Sequence, residues 1–213
     1  MSSEQTDSTA TDAAANEGQN APGAVGDGGE LNDASFVVPR RCVEATLTGT
    51  YGDYDGKSIP FKSGVATSEE PNTGQITIKS VQSGYQNEKV GELTVVQFEC
   101  TPKFDEPFES LGVYAKDLKL VGDVEWGGAT LPELDYGTKT FADVTADEDG
   151  IYVTVNEIGV AGDDVAAGGR RTGVAHIQFE FSDTYQSVRL REARYEATDA
   201  GSFELVSLVQ TSK

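Results

Sequence analysis

The side chains able to do chemistry in this sequence are few in kind and lopsided in charge. Acidic pairs recur near glycine or next to each other: Asp53 and Asp55 before Gly56, Asp147 and Asp149 before Gly150, and Asp163 beside Asp164. Two carboxylates facing one substrate are the working pair of a glycoside hydrolase, and several on one loop can hold a calcium ion. The run Asp53-Tyr54-Asp55-Gly56 resembles the opening of a calcium loop, which makes Asp53 and Asp55 the candidate metal ligands. It lacks the third acid and the distal Glu of such a loop, and a turn with Asx-type hydrogen bonds accounts for it without metal. On a chain with 36 acidic residues, chance pairs are expected.

The single histidine, His176, falls on the polar side of an alternating run and reads as solvated or hydrogen-bonded. A Ser-His-Asp triad would need a nucleophile turn, and no G-x-S-x-G is present; zinc-protease, Walker and dinucleotide motifs are absent as well. Gly162 to Arg171 is glycine-rich but lacks the Lys-Ser/Thr ending that cradles phosphate. It reads as a mobile loop whose Arg170 and Arg171 are candidates to meet an acidic neighbour. No catalytic residues are assigned, the chain is not expected to be an enzyme, and no cofactor is expected other than structural cations.

Cys42 and Cys100 each fall inside a predicted strand. Three readings stay open: buried free thiols packing as small hydrophobes, a bond to each other worth about 4 kcal/mol by loop entropy, or bonds to neighbouring subunits. Two thiols are too few for a structural zinc site. Trp126, beside Gly127 and Gly128, is the candidate interface anchor. Tyr51, Tyr54, Tyr85, Tyr114 and Tyr136 lie in or near predicted loops, where they either form a carbohydrate or protein contact surface or cover strand ends.

The elements that must position these groups are strands. After Phe36 the pattern alternates with period two, clearest at Ala175 to Phe181, Ile151 to Val155 and Val188 to Arg191. Further strands are predicted at Phe36 to Thr48, Gln75 to Val81, Glu92 to Cys100, Gly112 to Val124, Thr138 to Val144 and Phe203 to Val209, with a weaker one at Lys57 to Phe61. No segment sustains helical periodicity, so the fold is expected to be all-β. Long connections, such as Thr101 to Ser110 and Glu125 to Gly137, favour Greek-key crossings over tight hairpins. A single jelly roll, a two-sheet Greek-key sandwich or barrel, is therefore the expected architecture, with an immunoglobulin-like sandwich next. Residues 36–213 form the predicted domain. Residues 1–35, rich in Ser, Thr, Asp, Ala and Gly, form a low-complexity acidic arm that alone cannot offset its ordering entropy. It is either a passive solubilising tail or a docking arm.

Charge sets the habitat. A formal charge of -20 on 213 residues repels itself strongly in dilute buffer. At about 1 M salt the Debye length falls to about 3 Å and the repulsion largely vanishes. The acidity, together with few Lys and many Val, Ala, Gly and Thr, resembles that of proteins from extreme halophiles, and a negative surface disfavours direct nucleic-acid binding. No run of about 18 apolar residues and no signal-peptide pattern is present, so neither secretion by a signal peptide nor a membrane helix is expected.

In length, strand density and acidity over residues 36–213, and in the position of the arm, the chain resembles the single jelly-roll major capsid proteins of membrane-containing icosahedral haloarchaeal viruses. That resemblance implies a virion protein made in the host cytoplasm, assembling with itself and a related capsid subunit into an icosahedral shell near an internal viral membrane, with no small-molecule substrate. Arms or disulfides would tie neighbours together, here residues 1–35 and Cys42 or Cys100. A tail-tube or decoration protein of a haloarchaeal virus, a carbohydrate-binding β-sandwich and a hydrolase using scattered carboxylates are the alternatives.

Overall fold

Along Gly173–Ser182 the side chains alternate between buried and open, Ala175, Ile177, Phe179 and Phe181 turning inward and His176 and Glu180 outward, as a half-buried strand requires. The computed structural model describes residues 25–26, 29–48, 54–68, 73–126, 136–137, 139–159, 163, 169–197 and 203–204. Within them the strands are β1 (Val25–Gly26), β2 (Ser35–Phe36), β3 (Ile59–Pro60), β4 (Val65–Thr67), β5 (Gln75–Asn87), β6 (Gly91–Thr101), β7 (Phe108–Ala115), β8 (Leu120–Val124), β9 (Asp143–Asp147), β10 (Gly150–Ile158), β11 (Gly173–Ser182), β12 (Ser187–Ala197) and β13 (Phe203–Glu204). The fold is all-β, and every strand pairing is antiparallel.

One large sheet runs β1-β5-β6-β7-β8 with β4 also on β5, and the other runs β13-β12-β11-β10-β9. From β5 to β8 and from β9 to β13 each strand is bonded to its successor, the order of two meanders and not the Greek-key order expected. The reason lies in the turns. Asn87 Oδ1 accepts from the Lys89 and Val90 N–H groups at 3.0 and 3.1 Å, Asp117 Oδ1 from Lys119 N–H at 3.2 Å, and Asp147 Oδ1 from Asp149 and Gly150 N–H at 2.8 and 3.2 Å. These Asx turns close the β5–β6, β7–β8 and β9–β10 hairpins, and the one at Asp117 divides the single strand predicted over Gly112 to Val124.

The sheets share one core, built from Leu93, Val95 and Leu111 on one side and Ile151, Val153, Ile177 and Phe179 on the other. Their edges are sewn together. Buried Gln82 of β5 accepts from Ala146 N–H at 3.1 Å and donates to Val144 C=O, so its carboxamide pairs the open edge of β9 as a neighbouring strand would. Tyr85 of β5 accepts from Phe181 N–H of β11 at 2.6 Å. At the other end β8 presses on β12 so closely that a Cβ at Gly122 would lie 2.6 Å from Val188 Cγ2.

The predicted strand Phe36 to Thr48 is mostly helical. After β2, Pro39 precedes a short helix, α1 (Arg40–Val43), continued by a π-helical turn over Glu44–Thr48. Proline starts a helix more readily than it continues a strand, and Val38, Cys42, Val43 and Leu47 bury one helical face. Of the acidic arm, Val25 and Gly26 pair with Gln82 and Val81, and Gly29–Asp33 forms a 3-10 turn whose Asp33 accepts from Ser63 N–H at 2.9 Å. Phe203–Glu204 is the described part of the predicted strand Phe203 to Val209. Among the described residues no helix is long and apolar enough to cross a membrane.

Candidate functional site

Of the acidic pairs, Asp55, Asp147 and Asp163 bind backbone N–H groups, and Asp164 lies outside the described residues. Asp55 accepts from Lys57 N–H at 3.3 Å and pairs with the Lys57 ammonium at 2.5 Å, which holds its carboxyl below the usual range; Asp53 lies outside the described residues. The candidate metal ligand Asp55 is thus engaged by a cation on its own turn. Asp147 caps the β9–β10 hairpin, and Asp163 binds the Thr172 N–H and hydroxyl at 3.1 and 2.8 Å. Among the described residues no group of three or more His, Cys, Asp or Glu is placed to hold a metal ion.

Trp126, the candidate interface anchor, is a core residue instead. It is buried edge-on to Tyr136 with ring centroids at 4.7 Å and stacks on Phe141 at 5.2 Å, filling the end of the sandwich where the chain crosses between sheets. Period two carried on from Val124 puts Trp126 on the same buried side, but the predicted strand stopped at Val124, two residues short of it. Arg170 is exposed and Arg171 half-buried against Gly137. Cys42 and Cys100 are joined by a disulfide that ties α1 to β6, with Cα atoms 5.4 Å apart. The loop tyrosines mostly turn inward: Tyr85 is buried, Tyr114 is buried and donates to Val37 C=O at 2.7 Å, half-buried Tyr54 donates to Lys57 C=O at 2.6 Å, and Tyr136 packs on Trp126. Tyr51 lies outside the described residues.

Among the described residues Glu44 and Glu109 are buried carboxylates, and burial also raises Asp123 and Glu125. Glu109 of β7 is fully buried and bound on both oxygens. Glu125, just past β8, accepts from Arg41 N–H at 2.9 Å at the start of α1. Burial first, and the nearby Asp123 carboxylate second, push Glu125 up to about 7, against the downward pull of the α1 N–H groups. A carboxyl raised in the folded state contributes stability that is complete below its unfolded value and is lost as pH rises through about 7. Glu125→Gln keeps the acceptor and removes the charge. It should be more stable than the parent by up to ~3 kcal/mol at about pH 8, with the difference gone below about pH 4. Urea unfolding of both proteins across that range checks it, and parallel pH profiles would refute it.

His176 lies exposed on the outer face of the β9–β13 sheet, in a shallow recess of about 210 Å3 with Tyr152, Gln178, Glu192 and Arg194. These groups largely satisfy one another. Arg194 forks onto Glu192 at 2.8 and 3.2 Å, Gln178 donates to the Tyr152 hydroxyl at 3.1 Å, and His176 Nδ1 lies 3.3 Å from Thr154 Oγ1.

Among the described residues the most exposed large hydrophobic side chain is at the β6–β7 connection, Pro102 to Pro107. Phe104 at its tip is 79% exposed, with Lys103 Nζ 5.6 Å from its ring centroid. The connection leaves from Cys100, which the disulfide anchors, and re-enters at buried Phe108; the two prolines stiffen it. A polar recess of about 390 Å3 beside it takes in Arg41, Asp105, Glu106 and Lys139. Sequence reasoning treated Thr101 to Ser110 only as a long connection. The signal was a phenylalanine amid charges and between two prolines, where no alternating face could bury it. Compared with protein-family models, curated proteins and solved structures, the chain matches none of them.

Proposed function

We propose that this chain is a structural virion subunit that assembles with copies of itself or a sister subunit at high salt. The observation that carries the reading is Phe104, 79% exposed at the tip of the connection between Pro102 and Pro107, where a contact between subunits would bury it as an aromatic anchor. The acid surplus fits the same picture, since screening lets like-charged subunits meet. Of the carboxylates that could have suggested hydrolysis, Asp55, Asp147 and Asp163 are engaged in their own loops and turns, which favours a structural role for those three. An icosahedral shell is the form we favour, and a tail tube or decoration layer is the alternative form. As a shell subunit the protein would be a variant on the single jelly roll, built on meanders in place of two Greek keys.

Light scattering in about 3 M salt and again in dilute buffer tests the proposal. Large or closed oligomers are expected at high salt, falling apart on dilution as repulsion returns. A monomer under both conditions would overturn it. Electron microscopy of the high-salt species then separates closed shells from rings and tubes.

A further inference from the structure

The same sheet that carries Phe104 at one end carries a groove at the other. About 460 Å3 of space opens on its outer face, floored by the half-buried side chains of Leu31, Val81 and Leu118 and crossed by Thr94. Glu92 of β6, Lys116 just past the end of β7, and Glu30 also line it. Phe104 lies three residues past the last residue of β6, while the groove takes in Glu92 and Thr94 near the start of that strand and Val81, which pairs with Val96. About 17 to 30 Å of strand separates these from the end of β6, and Phe104, 79% exposed, does not fill the groove of its own chain.

We infer that Phe104 of one copy seats in the Leu31–Val81–Leu118 groove of the next, a head-to-tail contact; this rests on the assembly reading above. Size fits, because the groove has room for a phenyl ring. Both sides carry both signs: Lys103 precedes Phe104 and Asp105 and Glu106 follow it, while Glu30, Glu92 and Lys116 line the groove, so Lys103 can meet an acid of the groove and Asp105 or Glu106 its lysine. Apolar burial at the centre survives high salt, and the same salt removes the long-range repulsion between subunits. A knob and groove at different places on one surface make a heterologous contact, which closes into rings or continues as an open array.

Phe104→Ala removes the knob and Thr94→Trp fills the groove; both positions face outward, and circular dichroism confirms that each variant keeps the parent fold. In sedimentation velocity at about 3 M salt, each variant alone should weaken association by about 30-fold or more, the size of a central aromatic anchor. Mixed one to one, they should recover association only as far as dimers, because one variant retains a groove and the other a knob. If Phe104→Ala assembles like the parent, or if Thr94→Trp does, the knob-in-groove contact is wrong even though assembly stands. A parent chain that is monomeric in high salt overturns the assembly reading and this contact together.

Discussion

Glu109→Ala should lower the unfolding free energy by about 3–5 kcal/mol, the cost of breaking a buried ionic network by removing one member. Glu109 is 0% exposed, and each oxygen is used. One accepts from the Lys79 ammonium, and the other accepts from Gln97 Nε2 at 2.9 Å and from Phe141 N–H at 2.6 Å. The network runs on through Gln97, whose Oε1 accepts from the Ser80 hydroxyl at 2.8 Å. Truncation leaves the Phe141 N–H and the Gln97 amide without their acceptor inside the protein, and it leaves a cavity. Lys79 is spared, since its side chain is 40% exposed and Glu99 lies 3.9 Å away.

Glu109→Gln separates the parts of that cost. Its carbonyl oxygen can keep the Phe141 and Gln97 bonds, but its amide group then faces the Lys79 ammonium. A smaller loss is expected, and adding Lys79→Met should recover part of it, because the repelling charge is gone. Urea unfolding at constant high salt measures all three variants. Equal stability of parent and Glu109→Ala would show that the network contributes nothing. The position matters to the architecture: Phe141 stacks on Trp126 at the crossing between sheets, so the carboxylate fastens that crossing to β7.

Opening the disulfide should cost about as much. Cys42 and Cys100 are 58 positions apart, and freeing a loop of that length returns ~4 kcal/mol of chain entropy to the unfolded state. The double variant Cys42→Ser/Cys100→Ser should unfold at correspondingly lower urea, and reductant should bring the parent to nearly the same midpoint while leaving the variant unmoved. Alkylation of the unfolded, unreduced parent should modify neither cysteine; two added alkyl groups would show that the bond does not form. The bond holds α1 against β6 and fixes the root of the Phe104 loop. Reduction should therefore also weaken assembly in high salt before the fold is lost.

The all-β class was legible because alternation reports directly which side of a strand meets the core. Hence Ala175, Ile177, Phe179 and Phe181 were assigned to one face and are buried together. Alternation says nothing about which strand lies alongside, so the order of the sheets was not legible, and loop length misled: Thr101 to Ser110 looked like a crossing, but β6 and β7 pair directly across it. The short helix at Arg40–Val43 was hidden by Val37 and Val38, whose β-preference outweighed the signal of Pro39. Trp126 was chosen as a surface anchor for its neighbouring glycines, but its burial depends on Tyr136 and Phe141, which reach it only through the fold.

By itself, then, the sequence determined what depends on neighbours in the chain: strands from period two, turns from Asn87, Asp117 and Asp147, and a surface whose charge demands screening. Only the tertiary structure decided which acids leave that surface, which cysteines meet, and where an apolar side chain is left in water. Those outcomes depend on contacts between residues far apart in sequence. A carboxylate such as Glu109 can be buried only where Lys79, Gln97 and the Phe141 amide converge on it, and no local pattern around Glu109 encodes that convergence.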